Sequence, residues 1–140
     1  MKFDRIIFMR ESLDLSQREM ATKLGTSKSN YARWETGDKI IPLIYLIKMC
    51  NLTKISLDYA LAISDKRTEY HKLKVDLKII GNRLKNIRKK NNLKQDDVAK
   101  MINTTQSVVS GFENGKNIIQ TAFLYDICIK LNESADEICK

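Results

Sequence analysis

Lys28, Ser29, Asn30 and Arg33 carry donors that a helix would set on one outward face, while Tyr31 and Trp34, three apart, would point inward. Such side chains pair with base edges and phosphate oxygens. Arg or Lys can pair guanine and Gln can pair adenine in the major groove, whereas Ser and Thr serve several partners and carry less sequence information. Residues capable of covalent chemistry are badly placed for it. Asp96 and Asp97 are adjacent, so a helix would point them about 100° apart. There is no glycine-rich phosphate loop and no Cys–His or Ser–His arrangement. Cys50, Cys128 and Cys139 include no CxxC pair, and His71 is the sole histidine. Neither a metal site nor a disulfide framework is supported, so the cysteines read as small apolar residues in a reducing compartment. The expectation is a protein that is not an enzyme and needs no cofactor.

The stretch Ser16 to Gly37 must position the donors. Ser16 with Glu19 three residues on is a capping box, and Met20, Ala21 and Leu24 follow at helical spacing. Gly25 suits a left-handed helix end, Thr26 or Ser27 can cap the next helix, and Gly37 stops it. A short helix with outward donors, held by a partner helix, is the geometry that enters a DNA major groove.

The 140 residues carry 25 basic and 17 acidic side chains, a net charge of +8 that modestly favours a polyanionic partner. No apolar run is long enough for a membrane span and the N-terminus lacks a signal layout, so a cytoplasmic protein without membrane association is expected.

The chain is a repeat. At an offset of 78 residues, Leu15 falls on Leu93, Arg5 on Arg83, Arg10 on Arg88, Gln17 on Gln95, Ser29 on Ser107, Trp34 on Phe112, Glu35 on Glu113, Gly37 on Gly115 and Cys50 on Cys128. Turn residues match along with core residues, which a shared apolar period alone would not produce. In the first copy a helix near Phe3 to Leu13 has an apolar stripe of Phe3, Ile6, Ile7 and Leu13. Pro42 opens a fourth helix lined by Leu43, Leu46, Ile47 and Cys50, and Ser56 and Asp58 start a fifth. The second copy departs at Lys94 for Ser16, Asn103 for Gly25, Val108 for Asn30 and Gly111 for Arg33, so the first copy is expected to dominate base readout, with Arg33 mattering more than Gln106. Between the copies, Tyr70, Leu73, Leu77, Ile80, Leu84 and Ile87 make a heptad-like stripe, which predicts one long helix from about Thr68 to Lys90 with Gly81 as its weak point. Tyr70 and Leu73 either cover their own module or meet another chain. Glu35 and Glu113 are expected in caps or ion pairs, Tyr31, Trp34 and Phe112 in the core, and Arg88, Lys89 and Lys90 on a solvated face.

LSQREMATKLGTSKSNYARWETG and LKQDDVAKMINTTQSVVSGFENGK each resemble the helix-turn-helix of the lambda-repressor-like family, also called Cro-type or XRE. The resemblance extends through the fourth and fifth helices of both copies. It implies an all-α fold of two tandem five-helix domains, residues 1–63 and 77–140; the linker over 64–76 lies outside the resemblance and is expected to be helical from the stripe alone. The resemblance implies that Gln17 and Gln95 touch phosphate, and that Ser27, Lys28, Ser29 and Arg33, with Asn30 beside them, face the groove in copy one, as Thr105, Gln106 and Ser107 do in copy two. Thr36, Lys39, Asn114, Lys116 and Asn117 would lie near phosphates. The implied function is a sequence-specific DNA-binding transcriptional regulator, expected to repress, with double-stranded DNA as partner. The alternative is a protein-interaction module, an antitoxin or an antagonist of another regulator. In that reading Val108, with the Tyr70 and Leu73 of the linker helix, meets another chain, either a partner or a second molecule of the same protein.

Overall fold

A computed structural model describes residues 3–140. Its described residues form ten helices and no strand, and no helix is long and apolar enough to cross a membrane. The chain divides into two compact units, one ending at Leu73 and the other spanning Lys74–Lys140.

The first unit contains α1 (Arg5–Glu11), α2 (Gln17–Leu24), α3 (Lys28–Thr36), α4 (Leu43–Thr53) and α5 (Leu57–Ala60). The capping box forms as expected: the Ser16 hydroxyl accepts from the Glu19 amide at 3.0 Å, and Glu19 accepts from the Ser16 amide at 2.9 Å. Gly25 and Gly37 end α2 and α3 at φ of 78° and 82°, a region that costs glycine little. Ser27, rather than Thr26, caps α3. Met20, Leu24, Tyr31, Trp34, Leu46, Ile47 and Met49 are buried between the helices, each large apolar side chain contributing about 1.5–3 kcal/mol. The stripe of α1 runs through Ile6 and Met9, with Phe3 buried just ahead of the helix. Leu13 is exposed because α1 ends at Glu11, and Asp14 then turns the chain at φ 54°.

The helix ends are tied by charge. Arg10 grips the buried Glu35 with Nε to Oε2 at 2.7 Å and Nη2 to Oε1 at 3.2 Å, and its Nη1 donates to the Leu15 carbonyl at 2.8 Å. Arg5 donates from Nη1 to the carbonyls of Tyr59 and Ser64, at 2.8 and 2.6 Å, joining α1 to the end of α5.

The second unit contains α6 (Leu77–Lys90), α7 (Gln95–Met101), α8 (Gln106–Glu113), α9 (Thr121–Leu131) and α10 (Ala135–Cys139). Its ties repeat the first. Arg88 grips Glu113 at 2.8 and 3.0 Å and reaches the Leu93 carbonyl at 3.0 Å. Arg83 donates to the carbonyls of Ile138 and Lys140. Of the basic run at 88–90, then, Arg88 is not on a solvated face: it is the partner of Glu113. Lys94 cannot cap α7, but the Asp97 carboxylate still accepts from its amide at 2.7 Å. Asn103 takes the left-handed turn of Gly25, at φ 59°.

The expected linker helix does not form. Residues 61–76 contain no helix, and α6 begins only at Leu77, where the Asp76 carboxylate caps the Ile79 amide at 3.0 Å. Asn51 is the physical reason for the extended chain before it. Its Oδ1 accepts from the Tyr70 hydroxyl at 2.7 Å and the Leu73 amide at 3.0 Å, and its Nδ2 donates to the Leu73 carbonyl at 3.0 Å. Leu73 is 2% exposed. Tyr70 and Leu73 therefore cover their own unit and do not form the stripe of a linker helix.

Gly81 is a requirement of the packing. A Cβ there would lie 2.3 Å from the Phe112 carbonyl oxygen and 2.7 Å from that of Glu113. The α6 backbone thus lies directly on the end of α8.

Three outcomes follow from this packing. Gly81→Ala should destabilise by about 1–3 kcal/mol through overpacking, although helix propensity alone favours Ala by about 1 kcal/mol; thermal unfolding reads the sign. Trp34, the sole tryptophan, sits in the first unit beside Tyr45. Its fluorescence should show Glu35→Gln losing about 3 kcal/mol, the scale of breaking a buried pair. Burial alone would raise the Glu35 carboxyl, but the hydrogen bonds of Arg10 and Gln17 and the Tyr31 hydroxyl beside it outweigh this and hold it below the ordinary 4.5. A depressed carboxyl stabilises above its unfolded value and ceases to do so below its folded one. The Trp34 unfolding midpoint should therefore drop as pH falls below 4.5, and Glu35→Gln should flatten that dependence.

Candidate nucleic-acid interface

In each unit a capped helix pair, α2–α3 or α7–α8, presents the expected residues. Gln17 and Gln95 occupy the first position of α2 and α7, half-buried. Each donates its Nε2 to the buried carboxylate, Gln17 to Glu35 Oε1 at 2.9 Å and Gln95 to Glu113 Oε1 at 3.0 Å. A carboxylate only accepts, so it fixes the amide NH2 inward and the amide oxygen outward. In the second unit that oxygen accepts from Gln106 Nε2 at 2.6 Å. Donation thus runs from Gln106 to Gln95 to Glu113, and Arg88 donates to the same carboxylate from its other side. This leaves Gln106, at the exposed start of α8, with a free carbonyl oxygen and one free N–H. Lys28 stands at the equivalent place in the first unit, exposed.

Not every expected residue presents a free side chain. Ser29 and Ser107 are exposed on the outward face. Ser27 and Thr105 are exposed too, but their hydroxyls accept from the amides of Asn30 and Val108 as helix caps. Asn30 is half-buried, with its Nδ2 donating to Thr26 Oγ1 at 3.0 Å, so it is turned back toward the turn and not outward. Arg33 pairs through Nε with Asp38 Oδ2 at 2.5 Å, both largely exposed. Just past the third helix, Lys39 and Lys116 are exposed. Thr36 Oγ1 donates to the Arg33 carbonyl at 3.1 Å and Asn114 Nδ2 to Ser110 Oγ at 3.1 Å. The amides of Lys116 and Asn117 both donate to the Gly111 carbonyl, closing that turn onto α8.

The units differ beside their third helix. In the first, the Trp34 and Tyr45 rings pack at 5.0 Å. In the second, Phe112 and Phe123 line a surface cleft of ≈170 Å³ with Val108, Asn117, Ile118 and Gln120. Val108 is 39% exposed, in keeping with its place on the outer face.

Sequence reasoning missed Arg10 and Arg88 as the groups that hold the glutamines in place. Their signal was present: two opposite charges, Arg10 with Glu35, recur in register as Arg88 with Glu113. The Gln95–Gln106 bond had no such signal, because Lys28 breaks the repeat there.

Comparison with known proteins agrees with this geometry. A sequence profile of the helix-turn-helix family matches residues 6–59 and again 84–138. An uncharacterized HTH-type transcriptional regulator of Bacillus subtilis (strain 168), YobD, is 33% identical over 61 residues, which are 44% of this chain and 54% of that protein. The match thus spans about half the length of that relative. No solved structure gives a significant match. With the two profile matches covering most of its length, the chain belongs to the helix-turn-helix family of the Cro/XRE type, which it carries in two tandem copies.

Proposed function

We propose that this helix-turn-helix protein is a cytoplasmic, non-enzymatic repressor of transcription that reads double-stranded DNA with α3 and α8. The observation that supports it best is the oriented glutamine. Gln106 offers a carbonyl oxygen and one N–H together, the pair that matches N6 and N7 of adenine. Repression needs no further contact, since occupancy of a promoter suffices. Domains are taken as residues 1–63 and 77–140, with 64–76 between them.

The side chains also shift the expected balance between the copies. Asn30 is engaged by Thr26, and Arg33 shares its Nε with Asp38. Gln106 is held by an oriented network. We assign the sharper readout to the second unit, the reverse of the expectation drawn from Lys28, Asn30 and Arg33 standing against Gln106, Val108 and Gly111.

Selection of bound DNA from a random pool, followed by anisotropy at about 50 mM salt, tests the reading; absence of binding to any selected sequence ends it. Gln106→Ala should cost roughly 1–3 kcal/mol at an adenine of the selected site and leave the salt slope unchanged. Lys116→Ala should weaken all sequences alike and lower the slope by about 1. Arg33→Ala should relax specificity less than Gln106→Ala does; the opposite order would return the dominant readout to the first unit.

A further inference from the structure

The chain between the units is held almost to its last residue. Arg5 takes the Ser64 carbonyl at 2.6 Å, and the Arg67 guanidinium lies 5.1 Å from the Phe8 ring. Asn51 holds Tyr70 and both backbone groups of Leu73. On the other side, the Lys74 amide donates to the Cys139 carbonyl at 2.8 Å within the second unit. Leu73 belongs to one unit and Lys74 to the next. The free tether is therefore a single peptide link, about 3.8 Å between Cα atoms. A free coil over residues 64–76 would span roughly 20 Å r.m.s..

We propose that Asn51 is a specificity-determining residue for half-site spacing. By clamping Leu73 it removes free chain, and so it sets which separation of two DNA half-sites the tandem protein accepts. The inference rests on the reading that both units bind DNA. No other side chain holds both backbone groups of Leu73 among the bonds described, so Asn51 is the point at which the tether can be lengthened without touching a reading helix. Losing the clamp would free about seven residues, adding up to roughly 25 Å of reach. That is large against the ~34 Å of one DNA turn. The side chain at the equivalent place in the second copy is Ile129, which has no group for such a clamp. The device is thus peculiar to the copy that precedes the tether.

The test uses the full chain and duplexes carrying the two half-sites obtained by random-pool selection, at the selected spacing and at two base pairs more or fewer. Two base pairs displace a half-site by about 7 Å and rotate it by about 70°. Wild-type protein should lose about tenfold or more in affinity off the selected spacing, the scale of a lost second engagement. Asn51→Ala should lose less than about threefold, at unchanged affinity for one half-site. A second variant guards against a folding artefact: four Gly-Ser residues inserted between Leu73 and Lys74 leave the clamp intact and should broaden the spacing in the same way. Hydrogen exchange at the Leu73 amide should be slow in wild type and in the insertion variant and fast in Asn51→Ala. Spacing-indifferent binding by wild type overturns the inference and leaves the DNA reading standing. So does a selected site with only one half-site, or a sharp preference in Asn51→Ala despite a freed Leu73 amide. A fast Leu73 amide in wild type overturns it without any DNA, and failure to bind any DNA overturns both readings.

Discussion

Each unit sinks one carboxylate, Glu35 or Glu113, at the end of its third helix, 6% and 5% exposed. A charge so placed is costly unless it is paired and its remaining lone pairs are filled. Arg10 or Arg88 supplies two hydrogen bonds and the glutamine of the second helix a third. The same arginine takes the carbonyl of Leu15 or Leu93, in the turn before that helix. One ion pair thus fixes the first helix, the turn and the third helix against one another. Replacing such a pair with packed apolar groups is often neutral for stability. What an apolar pair cannot do is choose which end of Gln17 or Gln95 faces outward. Its orienting effect on the glutamine, more than its net energy, is what the reading surface depends on.

The copies diverge around that shared frame in ways that packing explains. Tyr31, fully buried with its hydroxyl beside the Arg10–Glu35 pair, is replaced by Val109. Burial, and then the neighbouring carboxylate, push the Tyr31 hydroxyl's pKa up, so it stays neutral and adds no second charge to the pair. Gly81 stands where the first copy has Phe3, ahead of α1, and α6 lies on the carbonyls of Phe112 and Glu113 there. In the first turn of α6, Lys78 packs against the turn glycine Gly115.

The caps, turn glycines and apolar stripes were legible because each rests on two or three neighbours in sequence. Ser16 with Glu19, Gly25 and Gly37 behave as their local chemistry dictates. Pro42 departs slightly, capping α4 and leaving its first position to Leu43. Among the candidate site residues, the exposure of Lys28, Ser29, Gln106 and Ser107 was readable from helical phase. The inward turn of Asn30 was not, since a short polar side chain at the head of a helix competes for local partners that periodicity ignores, nor was the pairing of Arg33 in the last turn with Asp38 beyond the helix end. The linker misled for a related reason. Its 3–4 spacing is real, but Asp76 starts a helix rather than sitting inside one, and Asn51, distant in sequence, offers the extended chain hydrogen bonds that a helix there would forgo.

Under the DNA reading, the two surfaces divide the work of recognition by chemistry. The first unit's exposed candidates are dominated by Lys28, Arg33 and Lys39, and the second's by Gln106, Asn114 and Asn117, with Lys116 the one cation among them. Contacts of the first kind release counterions and fade with salt. Contacts of the second kind are neutral hydrogen bonds whose worth lies in matching a base edge. Gly111 fits this division. It lacks the side chain that Arg33 has, and its carbonyl accepts from the amides of Lys116 and Asn117, as the Arg33 carbonyl accepts from that of Lys39. In the first unit the same place holds a charge that Asp38 partly offsets. Both units carry an excess of basic side chains, so under that reading long-range attraction is shared between the copies, and what divides them is the kind of contact each third helix offers.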